Sequence, residues 1–476
     1  MRTSDNLHEL AFFKSALVKE GVINPIENVL NWIYTQNKRI KTSVDQISLA
    51  DMKRWKFDET SGNLSHESRK FFSIEGIRVK TNYGNVEVWE QPIINQPEIG
   101  FLGILAKNIK GVLNFLMQAK VEPGNLNCVQ LSPTLQATKS NYTKVHHGKS
   151  PLFLEYFNGQ KQGLTLLDQL QSEQGARFLR KRNRNMIVQI GEDEALDLPE
   201  NFLWLTLGQI KELMKFDNVV NMDTRTVISA IPYGSYNSDT LTFFSEIASP
   251  DKINLKFLAS ILNHELHLHT LDQIISWITK LKTKYALEVT SIPLNKVSGW
   301  KYDGRSVVHE QKKYFEVIGV HVEINNREVI AWDQPMIKPA QEGIIAFIVK
   351  NINGVCHFLV QAKAEAGNLD ILELAPTVQC LTGNYRDGQS EYTVPFIHEV
   401  MDAPQEKIWY SAMQSEEGGR FFKEQNINRI VEAPDDFPIE VPDNYCWMTL
   451  NQLLTFLKFN NYLNIATRSL ISTVSF

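Results

Sequence analysis

The chain has 476 residues, 43% of them apolar and 22% charged, with a formal net charge of −5. That is globular composition with length for two or three cores, and it excludes a disordered or fibrous chain. The weakly acidic balance excludes a broad electrostatic hold on nucleic acid or acidic lipid, so an anionic ligand must be gripped by a few local cations.

In chain order, residues 1–20 are polar and interrupted by charge, which does not read as a secretory signal. Segments 71–81, 86–94, 99–109 and 111–121 are β-rich and punctuated by Asn, Gly and Pro, predicting strands. Residues 164–181 read as a more polar helix. A helix is expected after Trp204, with Leu207, Ile210, Leu213 and Met214 inward. A second set then begins with Phe257, Leu258, Ile261, Leu262, Leu271, Ile274, Ile275 and Ile278 at helical spacing, with a break near His269. Asn353-Gly354, like Lys110-Gly111, reads as a tight turn between apolar runs. The longest clean apolar runs, such as 343–349, are far too short to cross a bilayer. Cys128, Cys356, Cys380 and Cys446 are far apart with no CxxC spacing and read as reduced thiols. These features predict a cytoplasmic protein with neither membrane nor nucleic-acid partners.

The chain repeats itself. Gln118-Ala-Lys-Val-Glu-Pro-Gly-Asn-Leu126 returns as Gln361-Ala-Lys-Ala-Glu-Ala-Gly-Asn-Leu369, and Trp89-Glu-Gln-Pro92 as Trp332-Asp-Gln-Pro335. Leu131-Ser-Pro-Thr-Leu-Gln136 returns as Leu374-Ala-Pro-Thr-Val-Gln379, and Gln171-Ser-Glu-Gln-Gly-Ala-Arg-Phe178 as Gln414-Ser-Glu-Glu-Gly-Gly-Arg-Phe421. Trp204 and Thr224-Arg225 match Trp447 and Thr467-Arg468, all at an offset of 243. Trp55-Lys-Phe-Asp58 matches Trp300-Lys-Tyr-Asp303 at 245, so a two-residue indel intervenes. A constant offset over this much chain predicts two tandem α+β modules, 1–240 and 241–476, each a mostly antiparallel sheet flanked by helices.

Alternation puts Gln118, Lys120 and Glu122 on one face of their strand, as Gln361, Lys363 and Glu365 are in the second copy. A solvated stripe would not require the same three residues twice, so a lined, partly buried site is the favoured reading. Trp55 and Trp300 read equally well as core or as stacking platforms for a base. Arg177 and Arg420 are the best phosphate candidates, because a guanidinium fork matches phosphate oxygens. Residues 136–148 are dense in hydrogen-bonding groups. The second copy keeps Gln379, Asn384 and Tyr385 there but loses the histidines and Lys144, so the two modules are expected to differ in task. His264-Glu-Leu-His267-Leu-His269 is not HExxH and reads as a polar helix face. No GxGxxG, P-loop or GxSxG anchors nicotinamide, nucleotide-hydrolase or serine-hydrolase chemistry.

Gln-Ala-Lys-x-Glu-Pro-Gly-Asn, Leu-Ser-Pro-Thr-x-Gln-Ala-Thr, Ser-Asn-Tyr-Thr-Lys-x-His and Leu-Ala-Pro-Thr-Val-Gln-Cys resemble signatures of the NDP-hexose 2,3-dehydratases of deoxysugar pathways. The resemblance spans nearly the whole chain. It implies two Nudix-like modules, a homodimer, and loss of water across C2–C3 of dTDP-4-keto-6-deoxyglucose without metal or redox cofactor. Ser415-Glu-Glu-Gly418 is only a fragment of the Nudix metal box. The resemblance places substrate against Trp55, Ser140, Asn141, Tyr142, Thr143, Lys144 and Arg177 in the first module. In the second it implies Trp300, Lys363, Gln379, Cys380, Leu381, Asn384, Tyr385, Glu417, Gly418, Gly419 and Arg420. Tyr142, Lys144, Lys120 and Glu122 are the expected acid–base groups, the Tyr142 phenol donating a proton with Lys144 lowering its pKa. The competing readings are a non-catalytic sugar-nucleotide binder on a degenerate Nudix-like fold and a metal-dependent hydrolase, which the missing box disfavours.

Overall fold

The computed structural model describes residues 5–138, 150–234, 251–325, 330–381 and 394–476. Each half of the chain supplies a seven-stranded sheet and four strands of a five-stranded one. In the first large sheet the order is Leu164–Ser172, Arg182–Gln189, Gly100–Ile109, Val112–Val121, Phe202–Thr206. Val129–Ser132 pairs beside Val112–Val121, and Leu135–Ala137 beside Gly100–Ile109. Arg182–Gln189 runs parallel to Gly100–Ile109, and the other ladders are antiparallel. The second large sheet repeats this, with Gln425–Glu432 parallel to Gly343–Ile352.

The predicted strands lie where the pattern puts them: Ser73–Thr81, Val88–Asn95, Gly100–Ile109 and Val112–Val121. Both predicted turns are tight. Lys110 and Gly111 have φ of +50° and +77°, and Asn353 and Gly354 have +54° and +84°. Paired left-handed residues match the twist of the strands they join. The expected polar helix at 164–181 is instead the edge strand Leu164–Ser172 followed by a turn. Its leucines fit either period, and pairing with Arg182–Gln189 decides the matter.

The second half opens with helices Lys252–Leu262 and Leu271–Lys284, the latter started by a Thr270–Gln273 capping box. Phe257, Leu258, Ile261, Leu262, Ile274 and Ile278 are buried as their spacing predicts, while Ile275 faces out. His264, His267 and His269 sit in the connection between these helices, not on a polar helix face, because the chain leaves the helix at Asn263. The predicted helix after Trp204 is Leu207–Leu213, with Leu207, Ile210, Leu213 and Met214 buried.

The small sheets exchange strands. Thr42–Ile47 of the first half pairs antiparallel with Phe315–Ile324 of the second, Thr42 opposite Ile324 and Ile47 opposite Gly319. Leu287–Ile292 of the second half pairs with Ser73–Thr81 of the first, Leu287 opposite Thr81 and Ile292 opposite Gly76. The cores are shared likewise. One apolar cluster joins Phe12, Phe13 and Phe115 to Phe347, Phe358 and Phe476, and a second joins Trp55, Phe72 and Phe178 to Trp300, Phe315 and Phe421. Among the described residues no helix is long and apolar enough to cross a membrane.

Candidate active site

The repeated motifs meet each other across the two halves. The strand Val112–Val121 ends in Glu122-Pro-Gly124-Asn125, and this corner docks on the Glu417-Gly-Gly-Arg420 turn of the second half. Gly124 N donates to Gly418 O at 2.7 Å, and Lys423 N to Gly124 O at 2.9 Å. The reciprocal corner at Gly367 donates to Gly175 O at 2.6 Å and accepts from Arg180 N at 2.8 Å. A Cβ on Gly418 would stand 3.0 Å from the Glu122 Cβ and 2.2 Å from Asn125 Oδ1. The same close approach recurs for Gly175 against Glu365 and Asn368.

Two composite pockets result, each built from both halves. In the first, Lys120 Nζ lies 3.4 Å from Glu122 Oε1, which also accepts from Gln136 Nε2 at 2.7 Å. Glu417 arrives from the second half, its Oε1 accepting from Gly419 N at 3.0 Å. Among the described residues the buried Glu417 Oε2 has no hydrogen-bond partner. The Arg420 guanidinium lies 4.1 Å from the Phe72 ring centre and donates to Gln96 and to Gly419 O. In the second pocket Lys363 Nζ is 3.9 Å from Glu365 Oε1 and donates to Gln379 O at 3.0 Å, while Gln379 Nε2 donates to Glu365 at 3.1 Å. Arg177 comes from the first half and lies 4.2 Å from the Phe315 ring centre. Cys380 and Leu381 lie on the adjoining strand Val378–Leu381, where burial pushes the Cys380 thiol up to about 11 and so keeps it neutral.

The grouping differs from the sequence expectation in one respect. Arg177 does not share a pocket with Trp55; it crosses to Phe315 and Trp300, and Arg420 crosses to Phe72 and Trp55. The crossing follows from the close glycine contacts, which carry each arginine turn onto the opposite half. Trp55 and Trp300 are core residues, 6% and 8% exposed. Trp55 packs on Phe72 and His66 and donates to Asp333 O of the other half at 2.8 Å. Trp300 packs on Phe315 and His309. Ser140, Asn141, Tyr142, Thr143, Lys144, Asn384 and Tyr385 lie outside the described residues. A cavity of 370 Å³ lined by Gln36, Arg39, Ile40, Glu200, Asn201 and Asn325 holds none of these groups.

Buried carboxyls concentrate around the pockets. Burial, then Glu122, pushes Glu417 up to about 7 despite Arg420. Burial, then Glu424, pushes Glu416 up to about 8, and burial pushes Glu373 up to about 8 despite its bond from Ser172. Asp223, on the first turn of helix Met222–Ser229, is held well above the usual carboxylate range by burial and then by Glu417, Glu122 and Glu173. Asp223 escaped the motif reading because it belongs to no repeated string. Its signal was an asymmetry, since the second copy has Ala466 there, just as Gln174 stands where Glu417 does. Near-neutral carboxyls beside a lysine–glutamate pair and a guanidinium can move protons and hold an anion.

A family model for NDP-hexose 2,3-dehydratase matches residues 26–231 and again 271–474. A curated dTDP-4-dehydro-6-deoxy-α-D-glucopyranose 2,3-dehydratase of Saccharopolyspora spinosa is 44% identical over 463 residues, covering 97% of this chain and 94% of its own. Enzymes of the same name from Amycolatopsis orientalis and Streptomyces violaceoruber are 41% and 40% identical, covering 97% and 93% of this chain and 92% and 95% of theirs. With the duplicated pockets and matches of this length, the chain belongs to the NDP-hexose 2,3-dehydratase family.

Proposed function

We propose that this protein removes water across C2 and C3 of dTDP-4-keto-6-deoxyglucose, giving the dTDP-linked 3,4-diketo-2,6-dideoxy sugar. The observation that carries the reading is the near full-length identity to relatives named for the 2,3-dehydration of that sugar nucleotide. The pockets have the chemistry it needs. The 4-keto group acidifies the C3 proton, and Glu122, 3.4 Å from Lys120, is assigned as the base that accepts it. Tyr142, with Lys144 lowering its pKa, is assigned as a proton donor of the reaction, and the enolate oxygen needs hydrogen-bond donors as charge develops. Arg177 and Arg420, with Lys363 and the residues at 140–144, 379–381, 384–385 and 417–420, are assigned to substrate binding, while Trp55 and Trp300 fill the core behind the two arginine-bearing phenylalanines. The Nudix-like ancestry, a homodimeric state and a cytoplasmic location belong to the same proposal, supported by the duplication and the family's chemistry.

Elimination and tautomerisation move no net electrons, so no redox cofactor is required, and the fragmentary metal box at Ser415-Glu-Glu-Gly418 motivates the expectation that no divalent ion is required. Incubation with the 4-keto sugar nucleotide in EDTA is expected to yield diketo sugar, trapped as a stable adduct. Release of free nucleotide, or bound but unchanged substrate, would reject the dehydratase reading in favour of a hydrolase or a binder.

A further inference from the structure

The two composite pockets are built alike but are not equivalent. Helices Met222–Ser229 and Ile465–Ser472 occupy corresponding places, each capped by an asparagine, Asn221 or Asn464, that accepts from the backbone three residues on. Their second residues are Asp223 and Ala466, 2% and 3% exposed. The fold accepts a methyl group at this buried position, so packing does not require the acid. Asp223 has no hydrogen bond to any described residue. Its helix is fastened to both halves around this pocket: Asn221 Nδ2 donates to Ser132 Oγ at 2.9 Å, and Arg225 donates to Gln414 Oε1 at 3.0 Å and to Ser415 O, two residues before Glu417. The charges that face Asp223 are Glu417, Glu122 and Glu173, then Lys120, with Arg225 on its own helix. Glu417, unpartnered at Oε2, has Gln174 as its counterpart. The second pocket's additional carboxyl, Glu373, is half-paired in the same way, one oxygen accepting from the Ser172 hydroxyl at 2.8 Å and Oε1 without a partner among the described residues, and its counterpart in the first pocket is Gln130. The first pocket therefore holds in Asp223 a buried carboxyl that neither packing nor a hydrogen bond to a described residue accounts for, and the second pocket has a methyl group in its place.

We infer that Asp223 is the proton donor to the departing C2 hydroxyl, and that water is lost in the pocket formed by the Lys120–Glu122 strand and the Glu417 turn. The inference rests on the dehydratase reading above. A base takes the C3 proton, and the C–H pair forms the C3–C4 enolate. The enolate collapses to restore the C4 carbonyl and form the C2–C3 double bond. The C2–O bond breaks, its pair leaves with oxygen, and the Asp223 proton completes water. The resulting 3-enol gives its hydroxyl proton to solvent and takes one at C2, giving the diketone. The proton held by the base returns Asp223 to its acid form through solvent, so protons and electrons balance.

Burial, and then the neighbouring carboxyls, raise this group well above the usual carboxylate range, the direction a proton donor requires. The test uses Asp223→Asn, which keeps the shape, and Asp223→Ala, which copies Ala466. Both are expected to bind dTDP within about threefold of wild type and to lose kcat by about 10²–10⁴-fold. In D2O both should still wash deuterium into C3 of recovered substrate, because the base acts before the donor. Exchange without product is the signature that a merely structural role would not give. Product at the wild-type rate, or loss of exchange together with product while dTDP still binds, would overturn the assignment. If neither variant folds, the wild-type kcat decides, since it must fall on the alkaline side as the donor loses its proton, and a level profile overturns the inference. If wild type makes no diketo sugar at all, the dehydratase reading fails first.

Discussion

Trp55 and Trp300 illustrate what single residues contribute here. Each fills a shared core and lies beside a phenylalanine that carries the opposite half's arginine. Trp55→Ala should cost about 3–5 kcal/mol by urea unfolding, as for other buried aromatics. An unchanged midpoint with weakened nucleotide binding would restore the stacking role. A second residue test concerns pH. His321 Nδ1 lies 2.6 Å from Asp333 Oδ1, and that bond raises the histidine above its usual value. Because the folded pKa is the higher one, this contribution is full below the unfolded value near 6.5 and is lost as pH rises through the folded pKa. His321→Gln should therefore lower Tm at about pH 6 and have little effect at about pH 9. Equal losses at both would show that the pair contributes through packing rather than charge.

Among the elements, the glycine corners and the last helices hold the halves together. A Cβ on Gly124 would lie 1.7 Å from Phe421 O, and one on Gly367 1.7 Å from Phe178 O. Backbone carbonyls cannot yield as a flexible side chain can. Gly124→Ala should cost at least the roughly 1–3 kcal/mol of an overpacked core, read by thermal unfolding. It should also lower activity by moving Glu417 away from Glu122. The Thr-Arg repeat is a pair of staples. Arg225 donates to Gln414 Oε1 at 3.0 Å and to Ser415 O, and Arg468 to Thr226 Oγ1 at 2.9 Å and to Ser172 O. Removing either leaves buried carbonyls unpaired. Arg225→Met is expected to destabilise by several kcal/mol in denaturant titration, and a neutral result would mean that water replaces the guanidinium.

At the scale of the whole molecule, the exchanged strands and mixed cores make the two halves one cooperative body. Residues 1–240 expressed alone lack the strand Leu287–Ile292 at the edge of their small sheet, and residues 241–476 lack Thr42–Ile47. Each also loses half of the shared apolar clusters. Each half alone is expected to be aggregated or loosely folded, and the two co-expressed to assemble and regain dTDP binding. Two well-folded, independently stable halves would refute this. Mutations in one half are expected to act on the pocket named for the other, since each arginine turn belongs to the opposite sheet.

The duplication, the strands, both tight turns and the family were legible in the residues, because local period, turn chemistry and long repeated strings are properties of contiguous chain. The edge strand Leu164–Ser172 was misread because its leucines fit two periods and only its partner strand selects one. The Lys120 and Glu122 face was found by alternation, yet the reason for its repetition was not. Part of it is structural, since the Gly-Asn that follows must admit the other half's backbone. Only the tertiary structure decided that Arg177 and Arg420 change sides and that Trp55 is core. Only it drew Asp223 into the pocket with Glu122 and Glu417, because burial and charge proximity arise between segments that no sequence interval brings together.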